Sequence, residues 1–84
     1  MINKRDNYVE WALLLTELDE AAEHLKALID EMAQAGRIEE SEYAIQLGHV
    51  FAHMNRAWHA RRLAREMSKQ EFAEFSRFPE DLEL

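Results

Sequence analysis

His49 and His53 stand four residues apart in the segment His49-Val50-Phe51-Ala52-His53. On an α-helix that spacing puts both imidazoles on one side, the arrangement by which a helix offers two nitrogen ligands to zinc. His24 reaches the same level when the chain folds back on itself, with Glu20 one turn before it and Glu23 beside it. Three imidazoles and a carboxylate could hold a divalent metal or a small ligand. Helical angles weigh against this. His24 falls on the flank of its helix, and His49 lies well round from the face carrying Leu47, Met54 and Trp58. The sequence therefore predicts that the two sides do not meet within one chain, and that the histidines sit at the surface or at an interface rim. Between His49 and His53 the catalytic glutamate of the zinc-protease pattern is absent, which excludes that chemistry.

Asn55, Arg56, Trp58 and His59 form the most distinctive polar and aromatic stretch. Arginine and tryptophan concentrate binding energy, so the stretch reads as an interaction surface. The competing structural reading puts Trp58 in the core, Arg56 and His59 in solvent, and Asn55 in a local hydrogen bond. Farther on, Arg61, Arg62, Arg65 and Lys69 extend a basic run that begins at Arg56. An acidic first helix alongside cancels most of that field, and the net charge of −7 repels phosphate backbones, so no nucleic-acid partner is expected. No glycine-rich phosphate loop or nucleophile elbow occurs, and the carboxylates recur as solvated helix faces. No catalytic residue is predicted, the chain reads as a non-enzyme more readily than as an enzyme, and no cofactor is expected, a divalent metal being the one alternative its side chains suggest.

The elements that must position these groups are helices. Two glycines and one proline leave few breakers. Tyr8, Leu15, Ala22 and Ile29 repeat every seven residues, and Trp11, Leu18, Leu25 and Met32 do the same three positions on. Such a pattern predicts a supercoiled helical seam. Leu14, Ala21, Leu28 and Ala35 widen it. Asp6 or Asn7 is placed to cap this helix, which spans residues 7–35 and ends at Gly36. A second helix over 39–67 presents Tyr43, Leu47, Val50, Phe51, Met54, Ala57 and Trp58. Ser68 and Glu71 form a capping-box pattern that starts a short third helix over 69–77, with Phe72 and Phe75. An acidic tail follows over 78–84, frayed from Glu80 to Leu84.

A tight turn makes the two long helices antiparallel, with facing positions summing to roughly 74. The basic end of the second helix then meets Asp6, Tyr8, Glu10 and Trp11, so Arg61 and Arg65 are expected to lie over the rings and reach those acids. The fold class predicted is all-α: one domain over 1–84, a long two-helix hairpin plus a short helix, dimerising into a four-helix bundle. A chain of this size buries only ~60% of its unfolded surface, which favours such pairing.

With no cysteine there is no disulfide, and the polar first ten residues carry no export signal. The longest apolar run, Trp11–Leu15, is far too short to cross a bilayer. A cytoplasmic homodimer engaging a protein partner is the expectation, with a metal- or ligand-binding protein using His24, His49 and His53 as the alternative.

Overall fold

Three helices follow one another in the computed structural model, which describes residues 1–82. They are α1 (Tyr8–Ala35), α2 (Glu40–His59) and α3 (Lys69–Phe75). The two long helices pack against each other as a hairpin, and α3 folds back onto α2. Gly36 closes α1 in the left-handed conformation (φ 69°), with its N–H donating to the Met32 carbonyl at 2.9 Å. The absence of a Cβ makes that backbone state inexpensive and lets the chain reverse within four residues. Polar links between the helices run Gln46–Glu31, His53–Glu20 and Arg56–Glu17, close to the expected register.

Several boundaries differ from expectation. Asn7 occupies the N-cap position of α1, but its amide donates to Glu10 Oε2 at 3.2 Å instead of capping the helix. The second helix ends at His59, eight residues before the expected 67. There the Ala60 N–H bonds back to the Arg56 carbonyl at 2.9 Å, while the Arg61 guanidinium donates to the Trp58 carbonyl at 2.8 Å and lies 3.8 Å above the Trp58 ring. One arginine thus satisfies a helix-end carbonyl and covers an aromatic face, which offsets the loss of further helical hydrogen bonds. The connection over 60–68 then brings α3 back. Arg61 and Arg65 find their ion-pair partners in the C-terminal segment and α3 instead of among the acids of α1. Arg65 pairs with Glu71 at 2.7 Å, and Arg61 lies 4.0 Å from Asp81.

Ser68 and Glu71 form the capping box the sequence predicts, with reciprocal bonds of 3.1 and 3.0 Å. α3 ends at Phe75, two residues early. The stretch after it does not fray through Leu82: Pro79 is buried, Leu82 is half-buried, and Asp81 accepts from Trp58 Nε1 at 3.0 Å. That bond draws the Asp81 carboxyl below its ordinary value. The last two positions of the expected tail lie outside the described residues.

Hydrogen bonding from Arg65, reinforced by the Ser68 backbone N–H, lowers the Glu71 pKa from 4.5 to about 2. A depressed carboxyl pKa stabilises the fold above the unfolded value and ceases to do so as pH falls towards the folded one. Amide resonances of Lys69–Phe75 should hold constant from pH 7 to about 5 and move towards unfolded positions between about 4.5 and 2. In Glu71→Gln that portion of the titration should be missing.

Packing leaves the hairpin open on one side. Among the described residues the buried apolar side chains are Ala21, Leu28 and Val50 of the hairpin, with Pro79 after α3. The two strongest heptad lines are not the contact between α1 and α2: Leu15, Leu18 and Leu25 are 48, 48 and 40% exposed, and Ile29 is 55%. The third line, with Leu14, Ala21 and Leu28, faces the partner helix instead. Polar pairs such as Arg56–Glu17 occupy the opposite flank, which leaves the heptad lines facing outward. Phe51 and Met54, half-exposed on α2, lie on the same open flank by helical angle. The accessible surface is 6728 Å², against about 5,200 Å² for a compact monomer of 9.9 kDa. The excess is about 1,500 Å². Among the described residues no helix is long and apolar enough to cross a membrane.

Candidate functional site

Opposite the open flank, α1, α2 and α3 converge on Arg56. Its side chain is only 5% exposed. Nε donates to Glu17 Oε2 at 3.1 Å, Nη1 to Ser76 Oγ at 2.8 Å, and Nη2 to His53 Nδ1 at 2.9 Å. The Phe72 ring lies 4.2 Å below the guanidinium carbon. Beside it, Asn55 Nδ2 donates to the Ser76 carbonyl at 2.8 Å. An arginine this enclosed is tolerated because its donors meet acceptors and a carboxylate balances its charge.

The four residues predicted as an interaction surface are therefore largely engaged within the chain. Asn55 and Arg56 are buried, Trp58 holds Asp81, and His59 stacks on Phe75 at 5.3 Å while its Nε2 donates to the Arg77 carbonyl at 3.1 Å. Together they fasten α3 and the following segment to α2. Glu17 and Ser76 are the functional partners that sequence reasoning missed. Glu17 had a visible signal: it interrupts the line from Leu14 to Ala21, on the side of α1 that faces α2, and its register partner is Arg56. Ser76 had none, since its position depends on how the 60–68 connection turns.

The histidines do meet within one chain, contrary to the angular argument. His24 stacks on His53 with ring centroids 5.1 Å apart, and its centroid is 5.8 Å from that of His49. Side-chain length spans the gap, because an imidazole reaches well beyond the Cβ positions that helical angles describe. His53 Nδ1 lies 3.3 Å from Glu17 and 3.4 Å from Glu20. Glu17, Glu20 and His53 bring one ligand atom each within 4.8 Å of one another. Glu23, set beside His24 in the sequence, is exposed and takes no part in this cluster. An open cleft of about 430 Å³ lies over the rings, lined by His24, His49, His53, Arg56, Phe72 and Ser76.

His53 Nδ1 faces two incompatible partners. Arginine only donates, so the contact with Arg56 requires a bare Nδ1 lone pair; the contact with Glu17 requires Nδ1–H. The first leaves the proton on Nε2, and the second frees the Nε2 lone pair. The tautomer of His53 is thus set by which neighbour it satisfies.

A second groove of about 250 Å³ runs between α1 and the 60–68 connection, with Leu13, Leu14, Leu63, Met67 and Phe72 along its walls and Glu17 at its polar end. Comparison with protein-family models, curated proteins and solved structures finds no match, so the class of this protein rests on its own geometry: an all-α hairpin with a polar, histidine-rich flank and an apolar one.

Proposed function

We propose that this chain is a small non-catalytic interaction or regulatory module that acts as a homodimer, two hairpins joining their apolar flanks in a four-helix bundle. The observation that carries this reading is the exposed heptad seam of Leu15, Leu18, Leu25 and Ile29, with Phe51 and Met54 beside it. Apolar area left in water at about 25 cal/mol per Å² drives association once a complementary surface exists. A second copy supplies that surface under two-fold symmetry, because a seven-residue repeat matches itself. The excess of about 1,500 Å² per chain is in the range that stable obligate dimers bury on each partner.

Assembled this way, the bundle presents the exposed acids Asp19, Glu23 and Asp30 on the outer face of α1, which suits a basic protein partner. The cytoplasm is the compartment we assign, where a chain without cysteine forgoes no disulfide. Sedimentation equilibrium at micromolar concentration tests the reading: a mass twice the 9.9 kDa of the chain is expected. A single 9.9 kDa species across the concentration range would remove it.

A further inference from the structure

We infer that Glu20, His24, His49 and His53 form a binding site for a divalent transition metal of the zinc type, with Glu17 orienting His53 from behind. The inference does not depend on dimerisation, because every group comes from one chain. Two pairs at four-residue spacing face each other across the hairpin, Glu20 with His24 on α1 and His49 with His53 on α2. Each pair projects from one side of its helix, so four donors are presented by rigid elements.

The ring separations suit one shared ion once His24, now stacked on His53 with an interplanar angle of 24°, turns edge-on to it. With metal–nitrogen bonds of ~2.0–2.1 Å and tetrahedral angles, two imidazoles on one ion hold their centroids ~5 Å apart. The separations here are 5.1 and 5.8 Å. His24 and His49 are exposed and have room to turn their nitrogens inward. Glu20 is half-exposed, with its carboxylate 3.4 Å from His53 Nδ1, so it must swing to the Nε2 side to join the ion, and its negative charge is not taken up by Arg56. Imidazole with carboxylate favours zinc, cobalt or nickel over magnesium or calcium, which require oxygen-rich shells.

Glu17 and Arg56 define how His53 would be switched. A ligating histidine donates its other ring N–H to a carboxylate, and the Glu17 carboxylate lies 3.3 Å from Nδ1. Metal on Nε2 therefore selects the tautomer in which Nδ1–H points to Glu17, and Arg56 gives up its 2.9 Å contact with that nitrogen. Its bonds to Glu17 and Ser76 remain, so the guanidinium is still paired. His59, stacked on Phe75, lies outside the site and serves as an internal control.

Titration of the full chain with cobalt(II), followed by visible absorption, and with zinc by calorimetry, tests the site. One ion per chain and the intense visible bands of four-coordinate cobalt are expected. Separate His24→Gln, His49→Gln and His53→Gln changes should each weaken binding by at least ~10-fold, and Glu17→Gln by ~10–100-fold with the stoichiometry kept. His59→Gln should bind as the parent does. Since His24 and His49 are exposed, their variants keep the fold even where His53→Gln does not, and circular dichroism checks this. Parent-like affinity in both His24→Gln and His49→Gln, or an equal loss in His59→Gln, would overturn the site; so would a parent that gives no four-coordinate cobalt spectrum.

Discussion

Replacing Arg56 with alanine is expected to destabilise the fold by about 3–5 kcal/mol, the cost of removing one partner from a buried ion pair. Small domains are stable by only about 5–15 kcal/mol, so this one change could consume most of that margin. The size follows from what remains behind. Glu17, 16% exposed, would keep a charge with no cation beside it, Ser76 Oγ would lose a donor, and Phe72 would lose the group it covers. The loss should therefore exceed the usual ~1 kcal/mol of a single neutral hydrogen bond. Urea unfolding followed by circular dichroism measures it. The pair itself need not be net stabilising, because desolvating both ions offsets much of their attraction. Arg56→Met combined with Glu17→Leu should accordingly recover most of the stability lost in Arg56→Ala. A loss below about 1 kcal/mol in Arg56→Ala would mean that the cluster is solvated and not a structural centre.

Leu25→Glu together with Phe51→Glu is expected to convert the protein to monomers while leaving its helices in place. Each side chain is large, apolar and exposed on the open flank, at 40 and 51% respectively. Full burial of such side chains contributes about 1.5–3 kcal/mol each. About half of that is available here, since each side chain is already about half covered, and the two-fold axis counts each residue twice, so the substitutions remove about 3–6 kcal/mol from association even before like charges oppose one another. That corresponds to at least ~10²-fold weaker dimerisation. Neither position belongs to the buried set of Ala21, Leu28 and Val50 or to the Arg56 cluster, where the hairpin register is set. Sedimentation should report the single-chain mass, with circular dichroism near that of the parent when extrapolated to the same folded fraction. A variant that still sediments as a dimer would move the interface to another face.

Much of the helical scaffold was legible because it depends on local chemistry. Heptad repetition marked α1, the lone glycine between two long periodic stretches marked the reversal, and Ser68 with Glu71 marked the start of α3. The end of α2 was not legible. Nothing in the periodicity distinguishes Arg61 as a side chain that would turn back onto Trp58 and its carbonyl. Rotation of the helices was hidden for a related reason. Periodicity identifies a wide apolar arc, but which part of it meets the other helix is decided by long-range polar pairs such as Arg56 with Glu17.

The histidine cluster was half legible. Its members were visible from spacing and register, whereas their meeting depends on imidazole reach and on the flank the helices turn towards α3. Asn55, Arg56, Trp58 and His59 were recognised as unusual for a sound reason, since polar and aromatic groups so close together need partners. Those partners lie at Ser76, Arg77 and Asp81, on a segment whose return path runs through nine residues without helix.

The central claim is that a second copy covers the apolar flank. Nuclear Overhauser spectra of a sample mixed from isotope-labelled and unlabelled chains, filtered for contacts between chains, address it most directly. Cross-peaks joining the methyl groups of Leu18, Leu25 and Ile29 to Phe51 or Met54 of another chain are the expected result, with none at His24 or His53. A spectrum empty of contacts between chains at millimolar concentration, or one whose contacts fall on the histidine flank, would contradict it.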